Sequence, residues 1–378
     1  MIRTVAIIAN SGFTVLNFRR ELIKSLVSKQ VDVFVVCPSQ CQLMGGKDVN
    51  SELQKIGANH VPVSMNRSGV NPLADIKYLV DIALVLKRIS PDLVLNYTIK
   101  PSIYGSIAAR FACGCIVSSN ITGIGHVFTS ETMKSRLLAT VVKLQYKVAL
   151  KANSVVFFQN IDDRDFFLAN KLVQKSKAKL INGSGVDTNK YIKINSNPRP
   201  KSFIFVGRLL QEKGVLEYIS AAKLVQERYP ESIFAILGGV DENPTSLSFD
   251  EIKKHDQDGT IEYLGTTDNV CAILNEFEVF VLPSYREGTP RSTLEALSIG
   301  MPVITTDSPG CRETVVDGVN GFIVEPQSAS AIAKACFRFL ETPNIIQRFG
   351  KESRKIACNR YDVAKVNSSI LDSLFHLE

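Results

Sequence analysis

The sequence has 378 residues, of which 45% are hydrophobic and 21% are charged, with a formal net charge of +7 at pH 7. This length suits two domains of the usual ~100 to 200 residues, and the apolar content excludes a disordered chain. The longest apolar runs, such as residues 82–86, are far shorter than the ~18 to 20 residues of a membrane span. The N-terminus lacks the cleavage region of a signal peptide. We therefore expect a cytoplasmic chain.

Charge is distributed unevenly along the chain. Residues 1–190 carry 24 Lys and Arg against 12 Asp and Glu, whereas the remainder carries 20 against 25. Such an excess of positive charge predicts contact with an anion, and both phosphates and a membrane surface qualify. We do not expect nucleic acid, because no RNA- or DNA-binding motif accompanies the charge.

Apolar, β-rich runs alternate with helical patterns from the start of the chain. In the first half these runs are 5–9, 31–36, 92–96, 115–120 and 154–158. After a stretch rich in Pro, Asn and Ser at 194–201, they resume at 202–207, 232–239, 260–265, 279–284 and 302–307. Unbroken apolar strands predict parallel sheets covered by helices.

The same pattern predicts the division of the chain. We expect an α/β fold with one Rossmann-like domain at 1–190, a linker within 194–201, and a second Rossmann-like domain at 200–360. The last residues, 361–378, contain apolar positions at helical spacing. A final helix that recrosses to the first domain would fit this segment.

The first candidate site follows the first strand, where the sequence reads ANSGFTVLNFRREL with a single glycine at position 12. A dinucleotide fingerprint needs three glycines there, so we do not expect NAD. Gly12 either lets a phosphate approach the backbone at the start of a helix or forms an ordinary tight turn. Both interpretations stay open.

Two basic residues follow the strand at 202–207. The segment GRLLQEKG places Arg208 and Lys213 at the carboxyl end of that strand, where open α/β sheets bind their ligands. A guanidinium fork and an ammonium point charge suit a diphosphate. A solvated basic loop is the alternative.

Two glutamates lie in the stretch LPSYREGTPRSTLE at 282–295. Thr289 and Pro290 are typical of a helix N-cap and first helical residue, so the N–H groups of that helix would attract an anion. Glu287 then lies in the loop and Glu295 just inside the helix. The two carboxylates could bind ribose and sugar hydroxyls, act as acid and base, or be surface charges.

Several segments resemble family 4 glycosyltransferases. They are GRLLQEKG, GGVDENP at 238–244, EYLG at 262–265, EGTPRSTLEALSIGMPVITTD at 287–307, ANSGFTVLNFR and NGSGVD at 182–187. The likeness extends to bacterial transferases that add N-acetylgalactosamine to a sugar on undecaprenyl diphosphate. It implies the GT-B fold, with two Rossmann-like lobes facing across a cleft. It also implies transfer with retention of anomeric configuration, without a metal or other cofactor.

The resemblance also assigns residues to the donor. By position, Arg208 and Lys213 would bind the donor diphosphate, Glu287 the sugar hydroxyls and Glu295 the ribose. The leaving phosphate would accept the proton of the acceptor, so no side-chain nucleophile is implied. Further donor contacts are implied for Gly12, Gly288, Thr289 and Pro290.

The acceptor side is defined less sharply. Many family members carry a His after the strand matched here by 115–120, where this chain has Asn120 and Thr122. His126 follows shortly and is a candidate for substrate contact, although a lone His is more often structural. The candidates for the lipid diphosphate are Asn66, Arg67, Arg19 and Lys100. Of these, Arg67 has a matching Arg in the resemblance, and the others depend on charge and loop position.

A basic stripe is predicted in the segment 130–151. Arg136, Lys143, Lys147 and Lys151 follow at spacings of seven, four and four, beside apolar positions of the same helix. Such a helix could hold the chain peripherally on an anionic inner membrane, where each charge contributes about 1 kcal/mol. A core helix with a solvated face is the equal alternative.

Three functions are compatible with these patterns. The first is a retaining transferase that moves a hexose or N-acetylhexosamine (GalNAc, GlcNAc or Gal) from a UDP-sugar to an undecaprenyl-diphosphate-linked saccharide, in surface polysaccharide or O-antigen biosynthesis. The second is a UDP-sugar epimerase of similar fold, which would need acid and base side chains that are scarce in the first domain. The third is a catalytically idle sugar-nucleotide-binding subunit. The intact set of Arg208, Lys213, Glu287 and Glu295 argues against that third function.

Overall fold

The computed structural model describes residues 2–39, 48–66, 71–125, 128, 133–194, 197–241, 243 and 245–375. The chain divides into two units, the first comprising Met1–Ser184 and Val366–Glu378 and the second Gly185–Lys365. Each unit is built on one parallel sheet, which confirms the predicted α/β class. Among helices in the described ranges, none is both long and apolar enough to cross a membrane.

The first unit contains a seven-stranded parallel sheet of order β3-β2-β1-β4-β5-β6-β7. Its strands are β1 (Thr4–Ile8), β2 (Asp32–Cys37), β3 (Asn59–Pro62), β4 (Leu93–Tyr97), β5 (Ile116–Ile121), β6 (Val155–Phe158) and β7 (Ala178–Leu180). The five central strands are those that the apolar runs predict. The apolar runs do not include β3 and β7, because both are edge strands with partly exposed residues and no continuous apolar run.

Helices cover both faces of this sheet. On one face, β1 residues Val5 and Ile7 share a core with α1 (Gly12–Phe18), α2 (Arg20–Ser28) and α3 (Val49–Gln54). The same core includes Val366, Ile370, Leu371 and Leu374 of the last helix, α14 (Val363–Phe375). The other face packs against α4 (Pro72–Ile89), α5 (Ser106–Ala112), α6 (Met133–Ala149) and α7 (Ile161–Ala169).

The second unit contains a six-stranded parallel sheet of order β10-β9-β8-β11-β12-β13. Its strands are β8 (Ser202–Val206), β9 (Ile233–Leu237), β10 (Glu262–Tyr263), β11 (Val279–Leu282), β12 (Val303–Thr306) and β13 (Gly321–Val324). Its helices are α8 (Val215–Gln226), α9 (Phe249–Gln257), α10 (Val270–Leu274), α11 (Arg291–Ile299), α12 (Ala329–Glu341) and α13 (Asn344–Ile356). The predicted runs coincide with β8 to β12, and β13 is an edge strand that the sequence analysis did not predict.

The segment that precedes β8 packs with the second unit. Tyr191 is buried in the core of that unit, and the N–H of Ile194 donates to Oδ1 of Asn275 at 2.8 Å. The N–H of Arg199 donates to the carbonyl of Glu276 at 2.8 Å. The described residues of the predicted linker at 194–201, namely 194 and 197–201, therefore pack with the second unit, which begins at Gly185.

Candidate functional site

The charged residues predicted in the second unit lie at the carboxyl edge of its sheet. Lys213 ends a short turn after β8, and Glu287 lies in the loop between β11 and α11. Nζ of Lys213 contacts Oε1 of Glu287, and the two side chains are 18% and 12% exposed. Oγ of Ser284 donates to the same carboxylate oxygen at 2.8 Å. A charged pair this far from solvent needs such partners.

The loop that carries Glu287 is held by buried hydroxyls. The carbonyl of Ser284 accepts hydrogen bonds from Oγ1 of Thr306 and, at 2.8 Å, from Oγ of Ser308. The N–H of Glu287 donates to the carbonyl of Pro309 at 2.9 Å. The segment after β12 therefore fixes the backbone of this loop.

A glycine completes this support. Gly310 has φ +81°, and a Cβ there would lie 2.3 Å from the carbonyl oxygen of Glu287 and 2.5 Å from that of Gly288. Both the left-handed backbone and the space require glycine at this position. Because Gly310 has no side chain, the backbone carbonyls of Glu287 and Gly288 can lie directly against it.

Replacing Gly310 with alanine should lower the free energy of unfolding. Gly318 is a matched control, because its φ is +72° and a Cβ there meets nothing within 4 Å. Gly318→Ala should cost about 1 kcal/mol, the penalty of the left-handed backbone alone. Gly310→Ala should cost roughly 1 to 3 kcal/mol more, from overpacking. Denaturant unfolding measures both values, and equal losses would contradict the proposed close approach.

Arg208 lies in the loop after β8 and contacts an acidic residue of the neighbouring loop. Its Nη1 is 2.9 Å from Oδ2 of Asp241, and the side chains are 42% and 13% exposed. Asp241 is held by its own loop, where its N–H donates to Oγ of Ser246 at 3.0 Å and its Oδ1 accepts from the N–H of Asn243 at 3.0 Å. The guanidinium is thus oriented by a fixed carboxylate and still open to solvent.

Hydrogen bonds join these three loops into one cluster. The carbonyl of Glu212 accepts from the N–H of Tyr285 at 2.9 Å, and its carboxylate accepts from Oγ1 of Thr245 at 2.6 Å. The N–H of Gln211 donates to the carbonyl of Thr245 at 2.9 Å. Residues 208–213, the described residues after β9 (Asp241, Asn243 and 245–246) and residues 284–287 therefore share the carboxyl edge of β8, β9 and β11, where parallel sheets bind ligands.

The helix after this loop starts one residue later than the sequence predicts. Pro290 has ψ 114° and is the N-cap, and Arg291 is the first helical residue. The prediction of Thr289 as N-cap and Pro290 as first helical residue is therefore wrong, because the backbone becomes helical only after the extended Pro290. As the N-cap, Pro290 provides no side-chain hydrogen bond to α11.

Glu295 is buried on α11 and is already engaged within its unit. Its Oε1 lies 3.1 Å from Nε of Arg291, and Nη1 of Arg291 donates to the carbonyl of Gly185 at 2.8 Å. Burial, followed by the negative charge of Glu295, raises the pKa of the Tyr191 hydroxyl. Glu295 is therefore held in position by an arginine that the sequence patterns did not indicate.

A buried thiol lies beneath the same loop. Cys311 is fully buried, and burial, together with the negative charge of Glu287, raises its pKa to about 12. The thiolate is the nucleophilic form of cysteine, and burial disfavours that form at Cys311. Its role here is to pack beneath Ser284.

In the first unit, Gly12 is explained by packing. It is the first residue of α1, whose N-cap is Ser11, and the N–H of Thr14 donates to Oγ of Ser11 at 3.2 Å. A Cβ on Gly12 would lie 2.5 Å from Cγ2 of Val49 in α3. The close contact of α1 with α3 accounts for the glycine, and contact with a phosphate stays a prediction.

The acceptor candidates are placed differently from one another. Arg19 is 3% exposed, and its guanidinium lies 4.1 Å from the centre of the Tyr97 ring, so it is buried and does not present its charge to solvent. Lys100 is paired with Asp75 at 2.6 Å, whereas Asn66 is exposed. Arg67 and His126 lie outside the described residues.

Two families of glycosyl transferases match this chain. Residues 187–356 match the family Glycosyl transferases group 1, and residues 4–160 match Glycosyl transferase 4-like. The N,N'-diacetylbacillosaminyl-diphospho-undecaprenol alpha-1,3-N-acetylgalactosaminyltransferase of Campylobacter jejuni is 24% identical over 371 residues, which are 95% of this chain and 94% of that protein. The UDP-Gal:alpha-D-GlcNAc-diphosphoundecaprenol alpha-1,3-galactosyltransferase of Escherichia coli is 27% identical over 361 residues, 92% of this chain and 89% of that protein.

A solved structure shows the same fold along the whole chain. Anabaena Alr3699/HepE, in complex with UDP, superposes with a TM-score of 0.77 and covers 99% of this chain and 100% of its own, at 17% identity. At this identity the likeness concerns the fold alone.

Proposed function

The chain belongs to the group 1 and 4-like glycosyl transferases, and on that premise we propose that it moves a hexose or N-acetylhexosamine from a UDP-sugar to an undecaprenyl-diphosphate-linked saccharide. The observation that carries this proposal is that two relatives matching 95% and 92% of the chain are both named for transfer to a diphosphoundecaprenol-linked sugar. The expected GT-B class is confirmed by the two parallel sheets and the full-length structural match.

The donor diphosphate would bind beside Arg208 and Lys213. These two cations lie in the loop that follows β8, at the carboxyl edge of the second sheet, and α11 presents its N-terminus after the Glu287 loop. As the bond from the sugar to the phosphate breaks, negative charge grows on the departing UDP. Prearranged cations and N–H groups stabilise such charge, and this effect usually dominates catalysis.

Glu287 would accept hydrogen bonds from hydroxyls of the donor sugar. Lys213 and Ser284 fix its Oε1, so a sugar would meet a carboxylate whose position is already set. Gly288, Thr289 and Pro290 continue the same loop and would line the sugar and phosphate. Glu295 would reach the ribose, and its contact with Arg291 sets its orientation beforehand.

The sugar would be transferred with retention of its anomeric configuration. The acceptor hydroxyl forms the new bond to the anomeric carbon while the bond to UDP breaks, and a phosphate oxygen of the leaving UDP takes the hydroxyl proton. The chain contributes positioning and charge stabilisation in this scheme. Its own side chains form no covalent intermediate.

Because Arg208 and Lys213 supply the positive charge in this scheme, we expect transfer to proceed without a divalent metal. The rate measured in excess EDTA should equal that in Mg²⁺ or Mn²⁺ within a factor of about two, well below the tenfold change that 1.4 kcal/mol would produce. Loss of turnover in EDTA that Mg²⁺ restores would contradict this expectation.

The first unit would receive the lipid-linked acceptor at an anionic membrane surface. Residues 1–190 carry the positive excess of the chain, and Arg136, Lys147 and Lys151 of the predicted basic stripe are exposed. Lys143 donates to Oδ1 of Asn170 at 2.8 Å and is partly buried. Three charges of the stripe are therefore available to anionic lipid.

A donor screen tests the proposal. The purified protein is incubated with UDP-Gal, UDP-GlcNAc, UDP-GalNAc and UDP-Glc, with and without membrane extract that contains lipid-linked sugars. We expect one donor to be consumed only when the extract is present, with the sugar recovered on the lipid. Interconversion of UDP-sugars without extract would instead indicate the epimerase.

A further inference from the structure

The outer surface of α4 is apolar, although the helix also buries an apolar face. Tyr78, Ile82 and Leu86 are buried against the first sheet. On the outward side, spacings of three, four and four residues align Leu73, Ile76, Val80 and Leu84, which are 78%, 57%, 49% and 63% exposed. A helix on a purely aqueous surface carries polar residues on its outward face. The outward face of α4 is therefore suited to a second contact.

The outer surface of α6 repeats this arrangement. Tyr146 and Ala149 are buried, and spacings of four, three and four residues align four exposed side chains on the outward face. These side chains are Leu137, Val141, Leu144 and Val148. Two helices of one unit thus combine a buried apolar face with an exposed one.

Both outward faces lie on the same side of the first sheet. The Tyr104 hydroxyl, in the turn that begins α5, donates to Oδ2 of Asp75 in α4 at 3.1 Å. The same hydroxyl accepts from Nε2 of Gln145 in α6 at 3.3 Å. Between these helices α5 contacts both, and it exposes 81% of Phe111. We call the outward faces of α4, α5 and α6 the apolar-basic surface.

Basic residues accompany the apolar ones on this surface. Exposed Lys and Arg are found at Lys77, Lys87, Arg88, Arg110, Arg136 and Lys147. The sequences of α5 and α6 contain no acidic residue. The two aspartates of α4 are each paired with a lysine at 2.6 Å, Asp75 with Lys100 and Asp81 with Lys77. The surface therefore combines large apolar side chains with net positive charge.

We propose that the apolar-basic surface docks on an anionic lipid bilayer. Its Leu, Ile, Val and Phe side chains enter the boundary between headgroups and acyl chains, and its Lys and Arg side chains meet lipid phosphates. The proposal deepens the proposed function, on which it rests for a lipid-linked acceptor at the membrane. Lipid is favoured over a second copy of the chain, because pairing two such surfaces would bring like charges together.

Vesicle flotation tests the surface. The variant Ile76→Ser/Leu84→Ser removes two exposed apolar side chains of α4, and Leu216→Ser/Leu224→Ser removes two of α8, which are 40% and 39% exposed in the second unit. On vesicles of phosphatidylglycerol and phosphatidylcholine, the α4 variant should bind at least about tenfold more weakly than the unaltered protein. The α8 control should bind as the unaltered protein does, and circular dichroism confirms that both variants fold.

The contribution of the basic side chains to vesicle binding is tested with separate variants. Arg136→Gln and Lys147→Gln should each weaken binding to the anionic vesicles about fivefold, with no change on pure phosphatidylcholine. Equal binding by the α4 variant and its control would overturn the proposal. It would also be overturned if light scattering showed a dimer of the unaltered protein that the α4 variant converts to a monomer.

A short-chain, water-soluble acceptor separates this proposal from the proposed function. The α4 variant should transfer sugar to that acceptor at the unaltered rate, because the acceptor does not require the bilayer. If the unaltered protein binds vesicles but transfers sugar neither to the water-soluble acceptor nor to the lipid-linked acceptor in a bilayer, the proposed function is wrong and the proposed docking surface is supported. If the unaltered protein transfers sugar to both acceptors and binds no vesicles, the docking surface is wrong and the proposed function is supported.

Discussion

Replacing Arg208 with alanine should lower kcat/KM for sugar transfer by a factor of about 10² to 10³, the usual loss when one donor to developing negative charge is removed. The free energy of unfolding should change little, because the pair with Asp241 is 42% exposed at the arginine and exposed pairs contribute roughly 0 to 1 kcal/mol. Loss of activity without loss of stability is the expected signature of a group that acts on the substrate.

A matched substitution controls for the loss of an exposed arginine. Arg228 pairs with Glu341 at 2.8 Å, with 61% and 44% of the side chains exposed, and we assign it no role in transfer. Arg228→Ala should keep full activity. If Arg208→Ala turned over nearly as fast as this control, the assignment of Arg208 to the donor site would be wrong.

Separating Lys213 from Glu287 should damage both activity and stability. Lys213→Ala leaves a carboxylate that is 12% exposed without its partner, and breaking a buried pair on one side costs about 3 to 5 kcal/mol. Glu287→Ala likewise leaves the ammonium of Lys213, whose side chain is 18% exposed, without this partner. Each single variant should also lose at least about a hundredfold in kcat/KM.

The double variant distinguishes a role in binding the donor from a role in supporting the loop. Lys213→Ala/Glu287→Ala removes both charges, so its loss of stability should be smaller than the sum of the single losses. Its activity should stay as low as that of the single variants, because both groups would contact the donor. Recovery of activity together with stability would mean that the pair only supports the loop.

The sequence predicts the framework of both sheets and misses three of the four edge strands. The central strands β1, β4, β8 and β11 are buried on both faces and therefore read as unbroken apolar runs. Of the four edge strands, the apolar runs predict β10 and miss β3, β7 and β13. β3 and β7 contain partly exposed residues that interrupt the apolar pattern.

The site residues, like the strands, could be predicted only in part. Arg208, Lys213 and Glu287 could be predicted, because their loops directly follow recognisable strands. Asp241 and Arg291 could not, since their importance depends on contacts with Arg208 and Gly185, 33 and 106 residues away. The segment GGVDENP contains Asp241 in the resemblance and was the available signal.

Burial is the property that the sequence conveyed least well. Arg19 is a loop cation by pattern but lies over the Tyr97 ring in the interior, because a planar guanidinium can be buried against an aromatic face. In α4, four large apolar side chains are exposed although the opposite face of the same helix is buried. Periodicity alone cannot tell a buried face from an exposed one when both are apolar.

We expect this chain to move a sugar from UDP to a lipid-linked saccharide with retention of anomeric configuration. One NMR measurement tests it directly: the purified protein is mixed with the UDP-sugar identified by the screen and a synthetic diphosphate-linked acceptor, and the anomeric proton of the new linkage is observed. An α-linked product formed from the α-linked donor, with one UDP released for each linkage, is the predicted result. A β-linked product, or conversion of the donor without a new linkage, would contradict the account.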